Sequence, residues 1–122
     1  MPRVSVQRKA EAAWGRIEAL GGSGVWDAEV VVVSLADTNV TDGDLALFHD
    51  FPLVQVLDLS GTDIGDGGLA NLASLKALEE LIVVGTKVSE PALANFRLLH
   101  PTVKVVTELP KSGVNRFTGE PL

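Results

Sequence analysis

The sequence predicts an α/β fold: a stack of strand–turn–helix units with a parallel sheet on one face, helices on the other and a helix closing the N-terminal end. Three observations predict it. The segments "VVSLADTNVTDGDLALFHDF", "VLDLSGTDIGDGGLANLASL" and "ELIVVGTKVSEPALANFRLL" are variants of one pattern. Thr38, Thr62 and Thr86 recur at one constant interval, and six apolar columns keep step with them. Within each copy the apolar spacing changes from strand-like alternation to helical three-residue steps.

The first element lies in residues 1–29, read as a capping helix and a linker. Val6, Ala10, Ala13, Ile17 and Leu20 fall at helical spacing with Trp14 beside them, while Gln7, Arg8, Glu11 and Glu18 fall on the other side. Gly21 and Gly22 then suit the left-handed residue that closes a helix. Trp26 is placed just before the first strand, packing across the edge of the sheet.

Residues 30–109 hold three 24-residue repeats and a partial fourth strand. The columns are Val33, Leu57 and Leu81; Leu35, Leu59 and Val83; Val40, Ile64 and Val88; Leu45, Leu69 and Leu93; Phe48, Leu72 and Phe96; and Phe51, Leu75 and Leu99. No unit buries its apolar residues alone, so stacking must join the columns into one core. The fourth strand is read at Thr102–Leu109, where Val103 and Val105 alternate against Lys104 until Pro110 stops it. Residues 110–122, polar and Gly- and Pro-containing, are read as a flexible tail.

This spacing resembles the leucine-rich repeat family and its L-x-x-L-x-L-x-x-N-x-L unit. The second copy reads Val54-x-x-Leu57-x-Leu59-x-x-Thr62-x-Ile64, the third Leu78-x-x-Leu81-x-Val83-x-x-Thr86-x-Val88 and the first Val30-x-x-Val33-x-Leu35-x-x-Thr38-x-Val40. Threonine replaces the usual asparagine or cysteine; its hydroxyl is expected to bond backbone groups left unpaired at the turn, in its own coil or the next. The flavour is most like short, cysteine-free bacterial repeat proteins. The resemblance implies a leucine-rich repeat solenoid, a short right-handed β–α superhelix, and a non-catalytic protein–protein interaction role.

Composition narrows the classes. The chain has 122 residues, enough for one domain, and 46% of them are hydrophobic against 21% charged, a globular balance. Ten basic and sixteen acidic residues give a net charge of −6, which argues against nucleic-acid and membrane-surface partners, both of which call for basic patches. The basic groups Arg3, Arg8, Lys9 and Arg16 gather at the N-terminus. Cysteine is absent, and the N-terminal segment has a charge every few residues rather than the apolar core of a signal peptide. The longest purely apolar run, Val30 to Val33, is too short to cross a bilayer. A soluble, cytoplasmic protein is expected.

The acids, glycines and histidines give no clear chemical signature. Asp42, Asp66 and Glu90 form a repeating column, with Asp37, Asp44 and Asp63 nearby. A cation ladder is one reading, but the D-x-D-x-D-G order is absent. The other reading places these acids at helix starts, beside the caps Thr41 and Ser89, where they favour the helix dipole. Gly61, Gly65, Gly67, Gly68 and Gly85 lack the order of a phosphate loop and read as turn residues. His49 and His100 have no serine or acid placed for a triad. No catalytic residue, metal ligand or cofactor is assigned.

The candidate site is the strand face opposite the helices. The residues expected there for partner binding are Val32, Ser34, Val56, Asp58, Ser60, Glu80, Ile82 and Val84, with Ala36 beside them. Val32 and Val56 should stand side by side, with Ile82 one step away, in an apolar cluster rimmed by Asp58 and Glu80. Exposed aliphatics also satisfy strand preference alone, and the face has no aromatic or arginine anchor. The expected function is therefore binding of a protein partner through the concave parallel-strand face. The alternatives are a small metal-dependent enzyme or ligand-binding protein using the acidic columns, and a self-assembling subunit whose copies pair through the open C-terminal strand.

Overall fold

The helical spacing of the N-terminal segment gives α1, Pro2–Ala19, in a computed structural model that describes residues 2–27 and 30–107, with residues 2–8 as backbone alone. Ala10, Ala13 and Ile17 turn inward and are buried, as the spacing requires. The helix ends where Gly21 takes φ +92: its N–H donates to Glu18 O at 3.0 Å, and that of Gly22 to Ile17 O at 2.9 Å.

The next segment corrects the expected linker. Residues Ser23–Trp26 form a strand, β1, antiparallel to β2 (Val31–Ser34), so the sheet is mixed rather than wholly parallel. Asp27 closes the connection, its N–H donating to Val30 O and its carboxylate accepting the N–H of Val30 at 2.8 Å. Trp26 is thus a strand residue itself. Its ring meets Phe51 edge-on at 4.9 Å and Trp14 of α1 at 5.8 Å, an aromatic cluster that holds helix and sheet edge together.

The remaining strands are parallel and follow in chain order: β3 (Val56–Asp58), β4 (Glu80–Ile82) and β5 (Lys104–Val106), giving the order β1-β2-β3-β4-β5. Their register is the sequence period. Val33 pairs with Leu57, Leu57 with Leu81 and Leu81 with Val105, each step one repeat length. The ladder continues past the strand ends: Leu35, Leu59 and Val83 donate to Asp58, Ile82 and Val106, all at 2.8 Å. The fourth strand is shorter than expected, and Leu109 and the expected tail at 110–122 lie outside the described residues.

Between the parallel strands the chain crosses through a 3-10 helix, η1 (Asp44–Asp50), and two α-helices, α2 (Asp66–Asn71) and α3 (Glu90–Leu99). Leu45, Phe48, Leu69, Leu93 and Phe96 of these helices, with Leu72 just after α2, meet the strand residues Val33, Leu57 and Leu81 in one continuous core. One column breaks: Phe51 and Leu75 are fully buried, but Leu99 is 61% exposed. Helix α3 ends there, and His100 fills the inward position instead, its ring stacked 4.6 Å from Phe96.

The threonine column behaves alike in every copy. The hydroxyls of Thr38, Thr62 and Thr86 donate to the carbonyls of Leu35, Leu59 and Val83 at 2.7, 2.7 and 2.8 Å, each within its own sequence repeat. The residue before the threonine is equally repetitive. Gly61 and Gly85 take φ +70 and +72, and Asp37, in the same column, takes φ +58. This left-handed residue turns the chain from strand to helix, and glycine accepts it without the steric conflict a Cβ brings.

Candidate partner-binding face

Every one of the eight expected site residues lies on the sheet face opposite the helices, and each is half-buried. Period-2 alternation puts them there: Val31, Val33 and Leu57 point into the core, so Val32, Ser34, Val56 and Asp58 point away. The register arranges them in rows across the strands. The first row runs Val25, Val32, Val56, Glu80, Lys104; the second runs Ser23, Ser34, Asp58, Ile82, Val106. Ala36, Ser60 and Val84 make a third, continued by ladder bonds from Asp37 N–H to Ser60 O and from Gly61 N–H to Val84 O. Val32 and Val56 are direct neighbours, as expected, and Ile82 stands diagonally across from Val56.

Four face residues escape the candidate set, Ser23 among them as the partner of Ser34 in the second row. Val25 of β1 pairs with Val32 and is 50% exposed. No repeated copy marks it, because β1 is antiparallel and outside the repeat. Lys104 and Val106 of β5 complete the far side of the first two rows, one repeat length beyond Glu80 and Ile82. Asp58 is less free than a rim charge: its Oδ1 accepts the N–H of Ser60 at 2.9 Å. Ser34 Oγ makes the same contact, at 3.4 Å, with the N–H of Ala36 one coil earlier.

The acidic column does more than face the helix dipoles. Asp42 Oδ1 accepts the N–H of Gly65 at 2.7 Å, and Asp66 Oδ1 accepts that of Ser89 at 2.7 Å. Asp66 Oδ2 also receives the hydroxyl proton of Ser89, at 2.8 Å. Each acid therefore ties the start of its own helix to the cap residue of the next helix. The backbone N–H of Ser89, and then its hydroxyl, hold the Asp66 carboxyl below the usual aspartate range. Ser89 is the cap of α3, as expected, whereas the cap position of η1 is Gly43 and Thr41 lies two residues before it. Ser89 Oγ accepts from Ala92 N–H, while Thr41 and Asp44 exchange bonds of 3.2 and 3.0 Å in a reciprocal box.

With these oxygens engaged, the column does not converge on a cation. Among the described residues no group of three or more His, Cys, Asp or Glu side chains is arranged to hold a metal ion. Gly61 and Gly85 serve the turn by their positive φ, and Gly68 is required by packing. A Cβ on Gly68 would stand 2.6 Å from Asp42 Oδ1 and 2.9 Å from Leu45 Cδ1, so glycine is what lets α2 lie against η1. His49 is exposed, and His100 is buried against Phe96.

Two depressions open away from the strand face. A depression between α2 and α3, lined by Leu69, Ala73, Ala92, Phe96 and Leu99, holds about 90 Å³. That is the share of roughly three waters, far below the size of a metabolite pocket. A wider one of about 420 Å³, bordered by Asn39, Thr41, Asp42 and Asp63, lies among surface turns. Among the described residues no helix is long and apolar enough to cross a membrane. No protein-family model, curated protein or solved structure matches the chain.

Proposed function

We propose that the chain is a short leucine-rich repeat solenoid, N-terminally capped by α1, that works as a non-catalytic protein-binding module. The sheet face opposite the helices is its contact surface. The fold part of this reading is supported by the three equivalent threonine bonds and by strand pairings that advance one repeat length at every step. The absence of cysteine fits a cytoplasmic setting.

The observation that carries the functional part is a five-stranded face, uncovered by any described helix, on which half-buried aliphatics alternate with acids and serines. An aliphatic centre depleted of charge with a polar rim is compatible with a protein contact surface. The metal-dependent alternative is the weaker one, since Asp42 and Asp66 already bond the backbone of the next coil.

Val56→Glu tests the reading, because it places a carboxylate at the centre of the first row beside Val32 and Glu80. Proteins captured from the source cell by the wild-type chain are expected to be lost with this variant, while far-UV circular dichroism stays unchanged. An identical captured set, identified by mass spectrometry, would refute the contact surface.

A further inference from the structure

We propose that the open sheet face docks on the same face of a second copy of this chain, about a two-fold axis lying in the plane of contact. The inference rests on the reading of this face as a contact surface and names one partner for it.

Four corners of the face carry it. Val25, Val32 and Val56 fill one corner, toward β1, and Ile82, Val84 and Val106 fill the opposite corner, toward β5. The other diagonal is polar, with Ser23, Ser34 and Ser60 at one end and Glu80 beside Lys104 at the other. A two-fold axis along the polar diagonal lays each aliphatic corner on the opposite aliphatic corner of the facing copy. With strands about 4.8 Å apart and same-face residues about 6.7 Å apart, Val56 falls over the partner's Ile82 and Val32 over the partner's Val84, each within about 3 Å in the plane. The two sheets then cross near a right angle, one of the two ways sheets pack face to face.

Charge favours this arrangement at one contact and opposes it at another. The same operation sets Lys104 within about 4 Å, in the plane, of the partner's Glu80. Asp58, Glu80 and Lys104 leave the face nearly neutral on a chain of net charge −6, so copies meet here with less repulsion than elsewhere. Asp58 lies near the axis and faces the partner's Asp58, which weakens the contact. The face is small, so the dimer falls at or below about 1,200 Å² of buried surface. The dimer is therefore expected to form only at high protein concentration.

Sedimentation velocity of the full chain from about 10 μM to 1 mM is the test. The wild type is expected to dimerise over this range and Val56→Glu to stay monomeric. Lys104→Glu and Glu80→Lys should each weaken the dimer about tenfold, the double exchange should restore it, and Asp58→Asn should tighten it. Circular dichroism of each variant confirms folding. A monomer at every concentration overturns the inference, as does a dimer that survives Val56→Glu or a double exchange no better than the singles. A wild-type monomer whose captured proteins are lost with Val56→Glu leaves the contact surface standing and overturns only the second copy. In that case a partner cation against Asp58 is diagnosed by weaker capture with Asp58→Asn.

Discussion

Leu57→Ala is expected to lower the unfolding free energy by about 3 kcal/mol. Leu57 is fully buried in the central strand, register-paired with Val33 on one side and Leu81 on the other. Truncation removes methyl groups from the middle of a column that runs through all the coils. The cavity closes poorly, because the backbones on both sides are held by ladder bonds of 2.8 Å. In a domain of this size the loss corresponds to a fall in melting temperature on the order of 10 °C. Val56→Ala is the control, one residue away but half-buried on the outer face, and less than about 1 kcal/mol is expected there. Urea denaturation of both variants decides it, and equal losses would show that the alternation of faces is misread.

Asp42→Ala is the second large effect, at about 2 kcal/mol. Its carboxylate accepts the N–H of Gly65 at 2.7 Å, at a partly buried site where η1 and α2 approach closely. Alanine deletes a charge-assisted bond and leaves that N–H without its acceptor, which is the more damaging half of the change. The bond from Asn71 Nδ2 to the backbone oxygen of Asp42 survives the substitution, so the two coils stay tethered and the loss stays below that of a core truncation. Asp42→Asn keeps an acceptor oxygen and should recover part of the difference. Chemical denaturation gives the free energies, and hydrogen exchange at Gly65 should speed up in the alanine variant. A loss within the range of ordinary surface substitutions, about 0.5 kcal/mol, would show that the tie between coils is idle.

These two sites mark what could and could not be read from residue order. Leu57 was legible because its burial follows from a period that the chain repeats three times. The eight face residues were legible for the same reason, as the out-pointing members of the same strands. Asp42 was legible only in part. Its place at a helix start shows in the sequence, but the atom it binds belongs to the next coil, and its identity depends on how tightly successive coils approach. Gly68, which permits that approach, reads in sequence as just another turn glycine.

Strand β1 was hidden for a different reason. "SGVW" has no alternation long enough to mark a strand, and its extended form comes from pairing with β2 rather than from local preference. The lapse at Leu99 is likewise tertiary. The repeat calls for burial at that position, yet α3 runs out and His100, stacked on Phe96, takes the inward place.

Scalar couplings across hydrogen bonds, measured by NMR on the isotope-labelled chain, test the stacking most directly. Three are predicted, from Leu35 N to the carbonyl carbon of Asp58, from Leu59 N to that of Ile82 and from Val83 N to that of Val106, each the previous one moved on by one repeat length. Finding any of these amides bonded to a neighbouring carbonyl instead, so that the three steps no longer match, would contradict the account.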